Sequence, residues 1–199
     1  MTHYFETPAE DGPEHLVPMR LWGFDVELLS APGVFSGRRL DPGTAVLLRT
    51  CPPPAGGREI LDLGCGIGPL ACALALAVPE ARVTAVDVNR RAVELTARNA
   101  ARLKVAERVA ALAPEAVDPA ARFDELWSNP PIRIGKPALH RLLLTWLERL
   151  TPKGTAKLVV ARHLGADSLA AWLDAAGWQA ERLGSAKGYR VLAVRRQDA

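Results

Sequence analysis

Leu61-Asp62-Leu63-Gly64-Cys65-Gly66-Ile67-Gly68 is the stretch on which the fold of this chain turns. Glu59–Leu63 is a short apolar run of strand length, and glycines at alternate positions follow it. Pro69–Val78 is apolar on most sides and reads as a well-buried helix. A strand, a glycine-rich turn and a helix open many nucleotide-binding α/β sheets. In such sheets ligands sit beyond the carboxyl ends of parallel strands, near a switch point.

The spacing of Gly64, Gly66 and Gly68 resembles the dinucleotide fingerprint, in which the loop cradles a pyrophosphate at a helix N-terminus. Two neighbours argue for a different ligand. Pro69 occupies the early helix, and Asp62 precedes the first glycine. A carboxylate there repels a pyrophosphate and suits a cationic ligand that bears an amino group. Asp87 follows a second predicted strand, Arg82–Val86, and lies 19 residues after Gly68. A carboxylate at that place accepts hydrogen bonds from ribose hydroxyls, whether of NAD or of an adenosyl group.

Outward from the loop, strands and helices alternate. Helices are predicted at Arg90–Leu103, Leu139–Leu150 and Ala166–Ala176, and strands at Val109–Leu112, Phe123–Trp127 and Ala156–Ala161. Thr151-Pro152-Lys153-Gly154 reads as a closing turn. Trp178–Leu183 and Tyr189–Val194 are final strands joined by residues 184–188, too short a link for a parallel crossover, so they pair antiparallel. The expected fold is α/β: a doubly wound, mostly parallel seven-stranded sheet with a C-terminal antiparallel hairpin. Residues 1–57 differ. Short apolar stretches over 16–29, broken at Gly23, suggest a hairpin; 32–38 reads as a loop; Asp41-Pro42 pairs a cap with a first-turn proline and starts a helix running to about Arg49. Cys51–Gly57 is a turn-rich linker. The expected division is an N-terminal extension, 1–57, packing on a catalytic domain, 58–199.

The second chemical motif is Ser128-Asn129-Pro130-Pro131-Ile132, just past a strand end. The prolines fix φ, remove two donors and leave carbonyls free. The Asn129 side-chain carbonyl and the Pro130 carbonyl form a pair of acceptors for a planar amino group. Two acceptors favour the state in which positive charge develops on nitrogen, which is differential stabilisation of a transition state.

Composition narrows the alternatives. The 199 residues are 49% hydrophobic, enough for one core-forming domain. No stretch reads as a membrane span or signal peptide, so the expected compartment is the cytoplasm. Cys51, Cys65 and Cys72 form no CxxC pair, and His3, His15, His140 and His163 have no metal-ligand spacing, so no metal site is expected. A net charge of +3 permits contact with nucleic acid without requiring it.

Taken together, the glycine loop, Val86-Asp87-Val88-Asn89 and Ser128-Asn129-Pro130-Pro131 resemble class I S-adenosylmethionine-dependent methyltransferases with a small catalytic domain. The match is nearest to the catalytic half of ribosomal RNA small-subunit guanine-N2 methyltransferases. Pro32-Gly33-Val34-Phe35-Ser36, Leu40-Asp41-Pro42-Gly43-Thr44, Ile132–Lys136 and Lys187-Gly188-Tyr189-Arg190-Val191 are similar to further family segments. The resemblance implies S-adenosylmethionine as cofactor. Asp62, Gly64, Cys65, Gly66 and Gly68 would surround its methionine part, Asp87 its ribose and Val88 its adenine, with Asn129 at the junction with the target. Asn129, Pro130 and Pro131 would hold the amino group being methylated. Phe35 and Gly43-Thr44 would close over the pair, with Ile132, Arg133 and Lys136 meeting the substrate. Phe35 could instead pack the N-terminal segment onto the sheet, and Glu115 could meet the adenine amino group. The partner that the resemblance implies is RNA, ribosomal RNA in particular, with a monomer or small homo-oligomer as the working unit. Adenine N6, a tRNA base, a protein glutamine amide and a small molecule offer the same amino chemistry. A non-catalytic cofactor- or RNA-binding domain is the reading from another class. Ile132 stands where many amino-methylating enzymes carry an aromatic residue, and the larger ribosomal RNA enzymes carry an additional N-terminal half.

Overall fold

The computed structural model describes residues 12–35, 38–55 and 59–197. His3, Pro8, Ser36 and the Gly56-Gly57 end of the linker lie outside them. Strands β1 (His15–Leu21) and β2 (Phe24–Ser30) form an antiparallel hairpin, and α1 (Pro42–Thr50) follows. The main run is β3 (Glu59–Leu63), α2 (Pro69–Ala77), β4 (Arg82–Val86), α3 (Arg90–Arg102), β5 (Val109–Leu112) and β6 (Phe123–Ser128). It continues as α4 (Lys136–Leu147), β7 (Leu150–Ala161), α5 (Ala166–Ala175), β8 (Trp178–Ala186) and β9 (Tyr189–Arg196).

The seven-stranded sheet has the order β5-β4-β3-β6-β7-β9-β8. Strands β3 to β7 run parallel, and β9 is antiparallel to both β7 and β8. The expected fold class is therefore what the chain adopts. Chain order reverses between β3 and β6, where Leu63 lies opposite Ser128. The glycine loop and the Asn129 turn thus leave adjacent strands at one level. This is the crevice in which open α/β sheets bind ligands.

Helices cover both faces of the sheet. In β3, Ile60 joins the core beneath α2, while Leu61 and Leu63 join the opposite core with Leu143 of α4 and Leu173 of α5. Such two-sided burial is why the strand carries apolar residues on both faces, Ile60 on one and Leu61 and Leu63 on the other. The hairpin and α1 share the first core: Val17, Leu21, Leu28, Val46 and Leu47 pack in one cluster with Ile60 and Leu74.

Some boundaries differ from expectation. Helix α4 spans Lys136–Leu147 rather than Leu139–Leu150, and Thr151–Gly154 lie inside β7 rather than in a turn. Register jumps there: Phe123 faces Leu150 but Glu125 faces Thr155, so the extra residues, Pro152 among them, are accommodated as an irregularity of the ladder. The last hairpin is also tighter than expected. Strand β8 reaches Ala186, a bulge absorbs Leu183, and only Lys187 (φ 49°) and Gly188 (φ 81°) make the turn. Positive φ at both positions matches the right-handed twist of the strands.

Asn99 fastens the hairpin to this frame. It is fully buried in α3. Its Oδ1 accepts from the Leu29 amide at 2.7 Å, and its Nδ2 donates to the carbonyls of Leu29 and Ile67, each at 2.9 Å. The side chain therefore pairs with an edge strand much as a neighbouring strand would, and ties it to the glycine loop. Asn99→Ala should lower stability by about 2–4 kcal/mol in urea unfolding, because three backbone groups lose partners. A loss below about 0.5 kcal/mol, the scatter of surface substitutions, would show that the hairpin is held elsewhere.

Candidate active site

The cleft lies at the carboxyl ends of β3 and β6. Asp62, Gly64, Cys65, Gly66 and Asn129 line it from the sheet, and Met19, Phe35, Arg39, Leu40, Asp41 and Thr44 line it from the N-terminal extension. Both parts of the chain are needed to form it.

Asp62 is fully buried. Alternation in β3 puts it on the face of Ile60, toward α2. Its Oδ2 accepts from the Ala71 amide at 2.9 Å, an N-terminal donor of α2 that Gly68, the cap residue, has no side chain to satisfy. Its Oδ1 has no partner among the described residues. Burial pushes the carboxyl up to about 7; the Ala71 amide pulls it down and the charge of Asp87 adds to the rise. One oxygen is committed, and the other is a buried acceptor at the cleft.

Asp87 binds the loop itself. Its Oδ2 accepts from the Gly66 amide and its Oδ1 from the Asn89 amide, each at 2.9 Å. Burial raises its carboxyl, and the amides of Asn89, Gly66 and Val88 oppose that. It does not cap α3. Asn89 does, accepting from the Arg91 amide at 3.0 Å, and its Nδ2 donates to the Gly33 carbonyl at 2.9 Å. Thr96 closes the loop from α3: its hydroxyl donates to the Gly66 carbonyl at 2.9 Å. A Cβ on Gly68 would meet the Thr96 methyl at 2.8 Å, and Gly68 has φ 85°, so a side chain is barred twice over at that position.

The second motif forms a compact turn. Pro131 has φ −74° and ψ 74°, and the Ile132 amide donates to the Pro130 carbonyl at 2.8 Å, an inverse γ-turn. The Pro130 carbonyl, expected to be free, therefore has one lone pair engaged and one remaining. Ser128 anchors the turn through a 2.7 Å hydrogen bond from its hydroxyl to the Leu63 carbonyl. The Asn129 Nδ2 donates to Asp41 Oδ2 at 2.7 Å and lies 3.3 Å from the Thr44 hydroxyl oxygen. A carboxylate only accepts, so the amide nitrogen is fixed on that side and the amide carbonyl on the other.

The remaining expected residues divide. Phe35 is 65% exposed and borders the cleft, so it is not packed into the core beneath the sheet. Thr44 is buried behind Asn129. Val88 is exposed beside Asp87. Ile132 packs against the α4 and α5 core, and Arg133, Lys136 and Glu115 are exposed and do not line the cleft. Arg190 pairs with Asp167 of α5. Burial raises the Cys65 thiol far up and the Cys72 thiol to about 12, which suits packing residues rather than nucleophiles. Met19 and Arg39 carry no sequence signal, because nothing local marks a residue that reaches the cleft from a distant part of the chain. Leu40 and Asp41 stand in a family-like segment, where Asp41 reads as a cap and Leu40 has no assigned role. The described residues hold no cluster of potential metal ligands and no helix long and apolar enough to cross a membrane.

The methyltransferase small domain family profile matches residues 25–193. The chain is 30% identical over 196 residues to the uncharacterized protein YbxB of Bacillus subtilis (strain 168), covering 98% of each. It is 33% identical over 187 residues to ribosomal RNA small subunit methyltransferase C of Pseudomonas aeruginosa (strain LESB58), covering 86% of this chain and 52% of that protein. Among solved structures it is similar to the T. thermophilus 16S rRNA N2 G1207 methyltransferase (RsmC), which is in complex with AdoMet and guanosine. The TM-score is 0.80 at 27% identity, over 96% of this chain and 53% of that one. The chain thus spans about half the length of the ribosomal RNA enzymes it resembles.

Asp62 generates a test that needs no ligand. Its folded pKa lies above the ordinary 3.8, so the stability it contributes is fully present below about pH 4 and is lost as pH rises through about 7. Across that window the cofactor-free protein should lose on the order of a few kcal/mol relative to Asp62→Asn, measured by paired urea titrations. Parallel pH profiles would show that Asp62 keeps its ordinary pKa.

Proposed function

Because the chain belongs to the methyltransferase small domain family, we propose that it transfers a methyl group from S-adenosylmethionine to a planar exocyclic amino group, with guanine N2 of ribosomal RNA as acceptor. The observation that carries this reading is the Asn129 amide. Its nitrogen is committed to Asp41 and Thr44, which leaves its carbonyl for an amino group at the mouth of the glycine-loop cleft.

The residues present fit the cofactor. The unpartnered Asp62 Oδ1 suits the ammonium of a methionine moiety, and burial makes that pairing strong once both are charged. The Asp87 oxygens accept from loop amides and retain capacity for a ribose hydroxyl. The exposed Val88 offers an apolar face to adenine. Bound S-adenosylmethionine supplies an electrophilic methyl group on a sulfonium.

The acceptor nitrogen is a weak nucleophile because its lone pair is delocalised into the ring. The Asn129 carbonyl accepts one of its protons and the free lone pair of the Pro130 carbonyl accepts the other. As the N–C bond forms and the S–C bond breaks, nitrogen gains positive charge. The two carbonyl dipoles stabilise that charged state more than the neutral amine. The proton then leaves nitrogen for water. The rigid γ-turn fixes both acceptors, so alignment supplies much of the rate. Guanine N2 is favoured over other amino groups by the likeness to the guanosine-bound ribosomal RNA enzyme. Arg133 and Lys136 follow the same turn and are exposed, and their positive charge suits backbone phosphates.

Asn129→Ala should lower kcat by about 100- to 1000-fold, the range for losing one preorganised polar group, while the Kd for S-adenosylmethionine stays within about threefold. Labelled S-adenosylmethionine incubated with ribosomal subunits, deproteinised ribosomal RNA, tRNA and protein fractions should mark ribosomal RNA. Digestion to nucleosides should yield N2-methylguanosine. Label in N6-methyladenosine or protein glutamine would replace the acceptor and keep the chemistry, and full activity of Asn129→Ala would remove the mechanism.

A further inference from the structure

An asparagine amide has two nearly isosteric ends, one donating and one accepting. Which end faces the cleft decides whether Asn129 can receive an amino group at all. Turned over, it would present N–H groups to N–H groups and would oppose a developing positive charge.

Nothing within the Ser128–Ile132 turn makes that choice, because the hydrogen bonds of Asn129 to a side chain run to the other end of the chain. Asp41 Oδ2 receives Nδ2 at 2.7 Å, and the Thr44 hydroxyl oxygen lies 3.3 Å away. A flipped amide would set its oxygen against the carboxylate. Asp41 is itself held rigidly. Its Oδ2 also accepts from the Thr44 amide at 3.0 Å, its carbonyl accepts from the Ala45 amide at 2.8 Å, and α1 is pinned by the buried Val46 and Leu47. One oxygen atom therefore caps a helix and orients a side chain 88 positions away.

We propose that Asp41 is a positioning residue for methyl transfer: it holds the Asn129 carbonyl toward the acceptor, which makes the N-terminal extension part of the catalytic apparatus. The proposal rests on the role given to Asn129 above. The device works through geometry rather than charge, since any oxygen at the place of Oδ2 would do the same.

That distinction sets the test, made on the full chain. Asp41→Ser keeps a good cap for the Thr44 amide but is too short to reach Asn129. Asp41→Asn can place an oxygen where Oδ2 stands. With ribosomal RNA and S-adenosylmethionine as probes, Asp41→Ser should lower kcat about 10- to 100-fold, typical of losing an outer-shell partner, and leave the Kd for S-adenosylmethionine within about threefold. Asp41→Asn should recover most of that loss. Thr44→Val, which leaves the cap intact, should lower kcat by about 2- to 10-fold, the worth of one hydrogen bond. In cofactor-free protein, the ¹⁵N-resolved Asn129 side-chain protons should exchange slowly with water in wild type and Asp41→Asn and fast in Asp41→Ser. A kcat for Asp41→Ser within twofold of wild type overturns the proposal, as does an Asp41→Asn protein as slow as Asp41→Ser, which would assign the effect to charge. Equal exchange in wild type and Asp41→Ser overturns it without any acceptor. If wild type methylates none of the fractions, the functional reading fails, and the exchange measurement still decides whether Asp41 holds the amide.

Discussion

The parallel ladder between β3 and β6 is the constraint on which the site depends. It brings Leu63 opposite Ser128 and is closed by the Ser128 hydroxyl on the Leu63 carbonyl. Gly64 and Asn129, 65 residues apart in sequence, therefore emerge side by side from neighbouring strands. Because the chain order reverses at this pair, no crossover helix fills the crevice above it. A slip of one residue in this ladder would reverse the faces of β6. It would exchange Leu126, in the core with α4, for Trp127, which packs edge-on against Trp22 of the N-terminal hairpin at 5.5 Å. Register is consequently set by packing on both faces, and the site inherits that precision.

The N-terminal extension completes the crevice through asparagines and an aspartate rather than through a sheet. Asn99 pairs with the backbone of β2 at Leu29, Asn89 holds the Gly33 carbonyl, and Asn129 meets Asp41. Each contact satisfies a group that burial would otherwise leave unpaired. Each also joins the extension to a loop at the carboxyl end of the sheet. The hairpin and α1 are thereby bound to the frame that carries the glycine loop.

Two carboxylates share that frame with different duties. Asp62 lies beneath α2 with one oxygen unpartnered among the described residues, and burial opposes its ionisation. Asp87 is less enclosed and is held by loop amides. The first is suited to select a charged group, and the second to hold the loop in the shape that receives it.

Much of the architecture was legible in the residues themselves. The apolar run Glu59–Leu63, the alternating strands and helices, the Asp41-Pro42 cap and the antiparallel closing strands all follow from local periodicity and turn chemistry, which a linear sequence records directly. Local signals misplaced the start of α4, and elsewhere misplaced boundaries where pairing overrode them. Pro152 and Gly154 read as a turn but sit in a ladder irregularity, and residues 184–186 were drawn into β8 by their pairing with β9. The chemical identities of Asp62, Asp87 and Asn129 were also visible, because side-chain chemistry and strand-end position are local facts. Only the tertiary structure decided which groups those side chains face. Whether an amide turns its oxygen or its nitrogen to the cleft, whether Asp87 or Asn89 caps α3, and whether Asp41 does more than cap α1 are settled by partners 2 to 88 residues away. Hydrogen bonds select orientation at contact distance, and contact distance is a property that only the folded chain has.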